Sequence, residues 1–313
     1  SSLYNSIRLF FHLAKVVQSM NRSYQIITDA TCDLPADLVK ELGLSVIPMP
    51  FMIDGKEYIN YPDNREYPIA DFYKALRAES IVTTAQITEP NFEDAFRPFL
   101  EQGKDILYIG FSSGLSGTWQ RACEAMEALR KQYPKRCIEG VDSLTATLGE
   151  GLLVYLACCK QRDKDMSLHE LKAWTELYRF CISGWFMVDD LNHLKRGGRV
   201  SSTAALVGSV LGIKPILQIN REGHLIVREK VRGRKQAMKN LLNKMESRFT
   251  QDRSLQTVFI VHADCLEDAK YLEKEVKSRY KPQKVLINTL GPVIGAHTGA
   301  NAMSIFYVAK DRE

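Results

Sequence analysis

Four short segments carry the residue types from which a binding or catalytic site could be built. Phe111-Ser112-Ser113-Gly114-Leu115-Ser116-Gly117-Thr118-Trp119 reads as the end of a strand, a turn of small hydroxyl residues and glycines, and the start of a helix. In an open parallel sheet, ligands bind beyond the carboxyl ends of the strands, where helix N-termini point their free N–H groups outward. Ser116 would add a hydroxyl donor to the positive end of the helix dipole, which suits a carboxylate or a phosphate. The same residues would serve equally as a helix cap with glycines for a tight turn. Thr83-Thr84-Ala85-Gln86-Ile87-Thr88-Glu89-Pro90 precedes a helix whose start is accounted for by Thr88 or Pro90, which leaves Thr84 and Gln86 unassigned. Taken alone, that segment is an ordinary loop. Thr289 to Gly299 runs from a strand into a Gly/Pro loop with His297 near its end. The imidazole could donate a hydrogen bond to a carboxylate, or a full charge when protonated, although a lone histidine is more often structural. Leu194-Lys195-Arg196-Gly197-Gly198-Arg199-Val200-Ser201-Ser202 is a tight turn displaying cations, followed by an apolar helix over 204–211. A solvated turn would look the same.

Several enzyme signatures are missing. Gly114-Leu115-Ser116-Gly117-Thr118 lacks the last glycine of a G-x-S-x-G nucleophile elbow. There is no phosphate-binding P-loop and no well-placed G-x-G-x-x-G. Asp29 and Asp33, near the first strand end, could orient neighbouring groups but are incomplete as a metal set. The seven cysteines form no C-x-x-C pair, and His262, before Cys265, has no further ligands beside it. No metal site and no cofactor are expected. An odd number of cysteines without a framework fits a reducing compartment, where a free thiol packs as a small hydrophobe. A cytoplasmic location is expected.

The elements that must position these segments differ between the two halves. Residues 24–28, 44–49, 106–111 and 137–141 read as short apolar strands, alternating with helices over 35–43, 116–131 and 148–162. That alternation predicts a mainly parallel sheet with helices on both faces. After a helix over 167–180, strands at 184–188, 213–219 and 225–231 are expected, the last two forming a hairpin around Asn220-Arg221-Glu222-Gly223. A helix over 235–249 and strands at 257–262, 285–290 and 304–309 complete an α+β half with a mixed or antiparallel sheet. The division predicted is a 24–165 α/β domain and a 166–313 α+β domain, with 1–23 an extension outside the core fold.

Bulk properties agree with a globular chain. Of 313 residues, 45% are hydrophobic and 25% charged, enough for a sizeable buried core. The charge of +5, from 42 basic and 37 acidic groups, permits docking of an acidic partner without implying nucleic acid. No apolar run approaches the roughly twenty residues of a membrane-spanning helix. At most, transient contact with a membrane is expected.

Taken together and in this order, the segments resemble the DegV family. Its first-strand motif stands as Thr28-Asp29-Ala30-Thr31-Cys32-Asp33-Leu34, and its T-S-Q-P motif as Thr84-Ala85-Gln86-Ile87. The S-S-x-L-S-G-T motif is Ser112 to Thr118, the Gly-Gly-Arg-Val-Ser segment is Gly197 to Ser201, and the P-V-I-x-A-H-T-G motif is Pro292 to Gly299. The resemblance implies one long-chain fatty acid, such as palmitate, stearate or oleate, lying between the two domains. It also implies a carboxylate held by Thr84, Ser116 and His297. Ala85 and Ile87 depart from the motif, and Ala85 removes one hydroxyl. The resemblance further implies a carrier that is no enzyme itself and presents the lipid to a fatty acid kinase for acyl-phosphate formation. Arg199 and Arg232 would then be exposed and engaged in partner docking. The rival functions are a serine hydrolase pairing Ser116 with His297, and a lipid-sensing regulator without a kinase.

Overall fold

The computed structural model describes residues 24–201, 212–249 and 257–313. The expected extension over 1–23, Ser202 and the apolar helix over 204–211 lie outside these residues.

The chain begins with β1 (Tyr24–Asp29), α1 (Ala36–Glu41), β2 (Ser45–Ile47), β3 (Met49–Ile53) and β4 (Lys56–Asn60). The single strand expected over 44–49 is therefore two. Pro48, which has no N–H to give, separates them, and β3 turns away to pair with β4 and β5 instead. Next come α2 (Ile69–Arg77), β5 (Val82–Thr84), α3 (Glu89–Glu101), β6 (Asp105–Gly110), α4 (Thr118–Gln132) and β7 (Ile138–Asp142). Strands β2-β1-β6-β7 form a parallel sheet in that order, buried by apolar residues such as Ile26, Ile27, Leu107 and Ile109 on both faces. Strands β4-β3-β5 form a small antiparallel sheet that hydrophobic patterning did not separate from its surroundings.

Two helices follow, α5 (Leu148–Lys164) and α6 (Leu168–Tyr178), the second opened by a reciprocal cap between Ser167 and Glu170. Helix α6 lies against β6 and β7, whereas α5 touches β6 of the parallel sheet and also β8 (Ile182–Met187) and later strands of the large sheet. Those later elements are α7 (Asn192–Arg196), β9 (Ile213–Ile219), β10 (Leu225–Arg232), α8 (Arg234–Arg248), β11 (Thr257–His262), α9 (Leu266–Tyr280), β12 (Lys284–Thr289), α10 (Pro292–Thr298) and β13 (Met303–Val308). The large sheet runs β10-β9-β8-β13-β11-β12. Only β11 and β12 pair in parallel, so the sheet is mixed. The hairpin expected around Asn220 to Gly223 is present between β9 and β10. The two-domain α/β architecture read from the sequence is the one observed.

Two polar devices tie the halves together. Arg312, only 1% exposed, donates to the carbonyls of Ile182 (3.0 Å), Leu144 (2.5 Å), Asn220 (3.1 Å), Ser143 (3.4 Å) and Arg179 (2.5 Å). Asp33, which closes the short helical turn after β1, accepts from the Thr147 hydroxyl (2.6 Å) and the Gly291 N–H (3.0 Å), while its carbonyl accepts from the Asn288 amide (2.6 Å). Its φ of 51° is left-handed, a conformation that Asp and Asn tolerate better than most residues.

Candidate functional site

A cavity lies between the parallel sheet and the large sheet. Its walls are apolar, from Phe111 and Leu115 on one side and Phe186, Ile219, Val261 and Phe306 on the other. With its mouth and the solvent-open space there included, it encloses about 1040 Å³ of empty space. Polar groups gather at one part of the wall: Thr84, Gln86, Ser116, Arg199 and His297.

Each of these is delivered by a different element. Thr84 is the last residue of β5, paired with Phe51 of β3. The helix after it is capped by Thr88, which accepts from the Asn91 N–H, so Thr84 and Gln86 are free of that duty, as the segment suggests. Ser116 precedes the first turn of α4. The helix starts at Thr118 rather than at Ser116, because the Ser116 hydroxyl accepts from the Thr118 N–H (3.2 Å) and bonds its hydroxyl (3.0 Å). The hydroxyl thus remains at the helix N-terminus from just outside it. His297 belongs to a short helix, α10, and not to a loop; Pro292 opens it and Gly299, at φ 79°, closes it. Pro at a first turn and glycine beyond the last are ordinary helix punctuation, which a Gly/Pro loop resembles in sequence.

The His297 ring bonds the Thr84 hydroxyl through Nε2 at 2.8 Å. A Cβ on Gly197 would collide with His297 Nδ1, so α7 can pack against the ring only because that position is glycine. Burial, with the charge of Arg199 and the nearby His193, pushes His297 down to about 4. At neutral pH the ring is uncharged. Gln86 lies against Gly117 in the same way, where a Cβ would meet its amide nitrogen at 2.5 Å, which draws the two loops around the mouth together.

Arg199 is half-buried, not exposed as its Gly-Gly turn suggests. Its Nε donates to the Leu115 carbonyl (3.1 Å) and a terminal nitrogen donates to the Gly197 carbonyl, while burial lowers its pKa. Together with Thr84 and His297, it also lines a second, polar cleft on the outside, bordered by Ser80, Thr83, Asp190, His193 and Arg196. The three groups therefore stand at a doorway between the apolar cavity and the outer cleft. Arg232 is exposed, at the end of β10, and lines neither space among the described residues. It pairs with Ile213, whose neighbour Lys214 is bonded to Asp189 (2.7 Å), next to Asp190 of the cleft.

Sequence reasoning missed the support behind the wall. Thr31 and Thr147 line the cavity, and behind them lie three buried carboxyls, Asp29, Asp33 and Glu150. The Thr31 hydroxyl is 2.5 Å from Asp29 Oδ1 and 2.8 Å from Glu150 Oε2. One hydroxyl proton cannot serve two carboxylates. Burial, followed by the neighbouring Asp29, raises Glu150 well above its ordinary value, and burial raises Asp29 too, so the pair favours retaining a proton between them. Asp29 and Asp33 do orient neighbours. Glu150, one acid in the wholly buried first turns of α5, gave no signal.

The protein-family model described as "Uncharacterised protein, DegV family" matches residues 23–310. The chain belongs to the DegV family. A DegV domain-containing protein of Clostridium perfringens is 40% identical over 292 residues, which is 93% of this chain and 99% of the relative. Among solved structures, a DegV family protein of Thermus thermophilus described for fatty acid binding has a TM-score of 0.80 at 28% identity, covering 92% of this chain and 99% of its own. A fatty acid binding DegV family protein of Streptococcus agalactiae has a TM-score of 0.80 at 28% identity, covering 93% and 100%. No helix among the described residues of this DegV chain is long and apolar enough to cross a membrane.

Proposed function

We propose that this chain binds one long-chain fatty acid, its tail in the apolar cavity and its carboxylate at Thr84, Ser116 and His297. The observation that carries this reading is their convergence: three donors from distant parts of the sequence meet at one polar edge of an otherwise apolar chamber. The fatty-acid binding described for the Thermus and Streptococcus relatives supports it. A tail of roughly sixteen carbons, at about 0.8 kcal/mol per buried CH₂, would contribute on the order of 10 kcal/mol before ordering costs. A buried carboxylate without hydrogen bonds would cancel much of that gain. On this reading the domains meet near residue 165: residues 24–165 supply Thr84 and Ser116, and residues 166–313 supply His297 and Arg199.

Mass spectrometry of lipid extracted from purified protein tests the proposal, with about one fatty acid per chain expected. Recovery of nucleotides or phosphorylated metabolites alone would overturn it. Replacing Thr84, Ser116 or His297 with Ala should weaken binding about tenfold or more, since a hydrogen bond to a charged group contributes about 1.5–3 kcal/mol.

The protein acts as a carrier and not as a hydrolase. Among the described residues Ser116 bonds Thr118 and His297 bonds Thr84, rather than each other as acyl transfer would require, which favours the carrier reading. No turnover of a p-nitrophenyl acyl ester above background is expected. The partner is a fatty acid kinase reaching the carboxylate through the outer cleft, whose rim carries Ile81, 72% exposed, as an apolar anchor. Arg232→Ala should leave lipid affinity unchanged and slow acyl-phosphate formation by a fatty acid kinase supplied with ATP. Arg199→Ala should weaken both, because Arg199 faces the cavity as well as the cleft.

A further inference from the structure

At the opposite end of the parallel sheet, a cluster of three side chains has the chemistry of a metal site. Cys137 precedes β7, and Glu139, two residues on, projects from the same face of the strand. His169 stands in the first turn of α6, which packs on β7. Cys137 Sγ and His169 Nε2 are 3.7 Å apart, and one ligand atom from each of the three residues lies within 4.8 Å of the others. For a tetrahedral zinc ion with Zn–S about 2.3 Å and Zn–N about 2.0–2.1 Å, sulfur and nitrogen would be about 3.6 Å apart. The pair is already at that spacing. The Glu139 carboxylate, with no hydrogen bond or ion pair among the described residues, needs only to swing inward. The Cys137 backbone is held in place, its N–H donating to Asp105 Oδ1 at 2.9 Å.

We propose that Cys137, Glu139 and His169 bind one Zn²⁺, with water at the fourth position. Thiolate and imidazole favour zinc over the hard cations Mg²⁺ and Ca²⁺, and three protein ligands leave one coordination place open. Sequence spacing conceals the site, because His169 lies 32 residues beyond Cys137 and reaches it only through the packing of α6 on β7. Binding replaces the thiol proton: Cys137–SH and Zn²⁺ give the zinc thiolate and H⁺. Because the metal must displace that proton, affinity rises with pH. None of the three residues lines the cavity, so the ion would fasten α6 to β7 without touching the lipid site.

The test is a Zn²⁺ titration of the whole chain against a chromophoric chelator, at pH 7 and pH 8, with Co²⁺ as a spectroscopic probe. One saturable site per chain is expected, tighter at pH 8, with a thiolate-to-cobalt charge-transfer band. Cys137→Ser and His169→Ala should each weaken binding by at least the roughly 10–100-fold that even outer-shell changes produce. Cys159→Ser should leave it unchanged. His169 is exposed, so its variant keeps the fold, which circular dichroism checks. Binding that survives both substitutions, a site without the charge-transfer band, or no saturable site would each overturn the assignment. Fatty-acid affinity, measured on the same variants, should not move.

Discussion

Replacing Asp33 with Asn removes a charge from the joint between β1 and the segment that opens α10, while keeping its shape. The amide oxygen can accept from the Gly291 N–H and the amide nitrogen can donate to the Thr147 hydroxyl, so both links survive, and Asn tolerates the left-handed backbone at φ 51°. What changes is the cost of burying a carboxylate. Desolvation outweighs the bonds from Thr147 and Gly291 and pushes Asp33 up from 3.8 to about 7. An acid with a raised folded value stabilises the fold fully below its unfolded value, and that contribution is lost as pH rises through the folded one. At about 1.4 kcal/mol per pH unit between the two values, ionisation costs the wild type about 4 kcal/mol by pH 8 and less than about 2 kcal/mol at pH 5. The Asp33→Asn variant carries no such cost. Urea unfolding followed by circular dichroism should therefore show the variant gaining on the wild type by about 2–3 kcal/mol between pH 5 and pH 8. Comparing the two pH values cancels any pH-independent effect of the substitution. A stability difference that stays flat over this range would show that Asp33 is ionised at little cost, and the reasoning would fail.

Binding should also depend on pH through His297, which stands at about 4 in the empty site and must rise when a carboxylate arrives beside it. Complex formation then takes up a proton, so fatty-acid affinity should fall between pH 5.5 and pH 8 more steeply for the wild type than for His297→Gln; equal slopes would refute it. Gly197→Ala places a methyl group against His297 Nδ1 and should weaken fatty-acid binding about tenfold with little change in thermal stability, since φ at that position suits any residue. Unchanged affinity would show that the ring moves without consequence. Arg312→Met strands five carbonyls that the guanidinium now serves and should destabilise the fold by at least about 3 kcal/mol in denaturant, a loss under about 1 kcal/mol being the contrary result.

Strand–helix alternation in the first half, the Asn220 to Gly223 hairpin and the family motifs were legible because each leaves a local mark: apolar runs, glycine turns, hydroxyl residues at helix starts. The segments holding Thr84, Ser116 and His297 were legible for the same reason. What lay outside local pattern was lost. The split at Pro48 and the small sheet of β3, β4 and β5 depend on which strands pair, and a short apolar run does not say that. Exposure of Arg199 was inferred from its glycines, yet the carbonyl of Leu115, 84 residues away, holds it inward. Glu150 and Arg312 leave no local mark, and only tertiary structure surrounds them with partners. The departure at Ile87 has a packing role: the side chain is 1% exposed, in the core beneath α3 and α4.

The order of strands in the large sheet bears on how this protein can be made. Strand β13, the last in the chain among the described residues, lies in the middle of the sheet, between β8 and β11. A ribosome delivers β8, β9 and β10 long before it, and β11 with β12 later. Until β13 emerges, the two groups of strands that it joins would each present a bare edge. Neither can close until residues 303–308 emerge. The same strand carries Met303, Ser304 and Phe306 into the wall of the cavity, so the chamber comes into being with the final step of folding. On the proposed function, lipid could load only after β13 is made, and interruption of synthesis before it would leave an aggregation-prone fragment without the chamber.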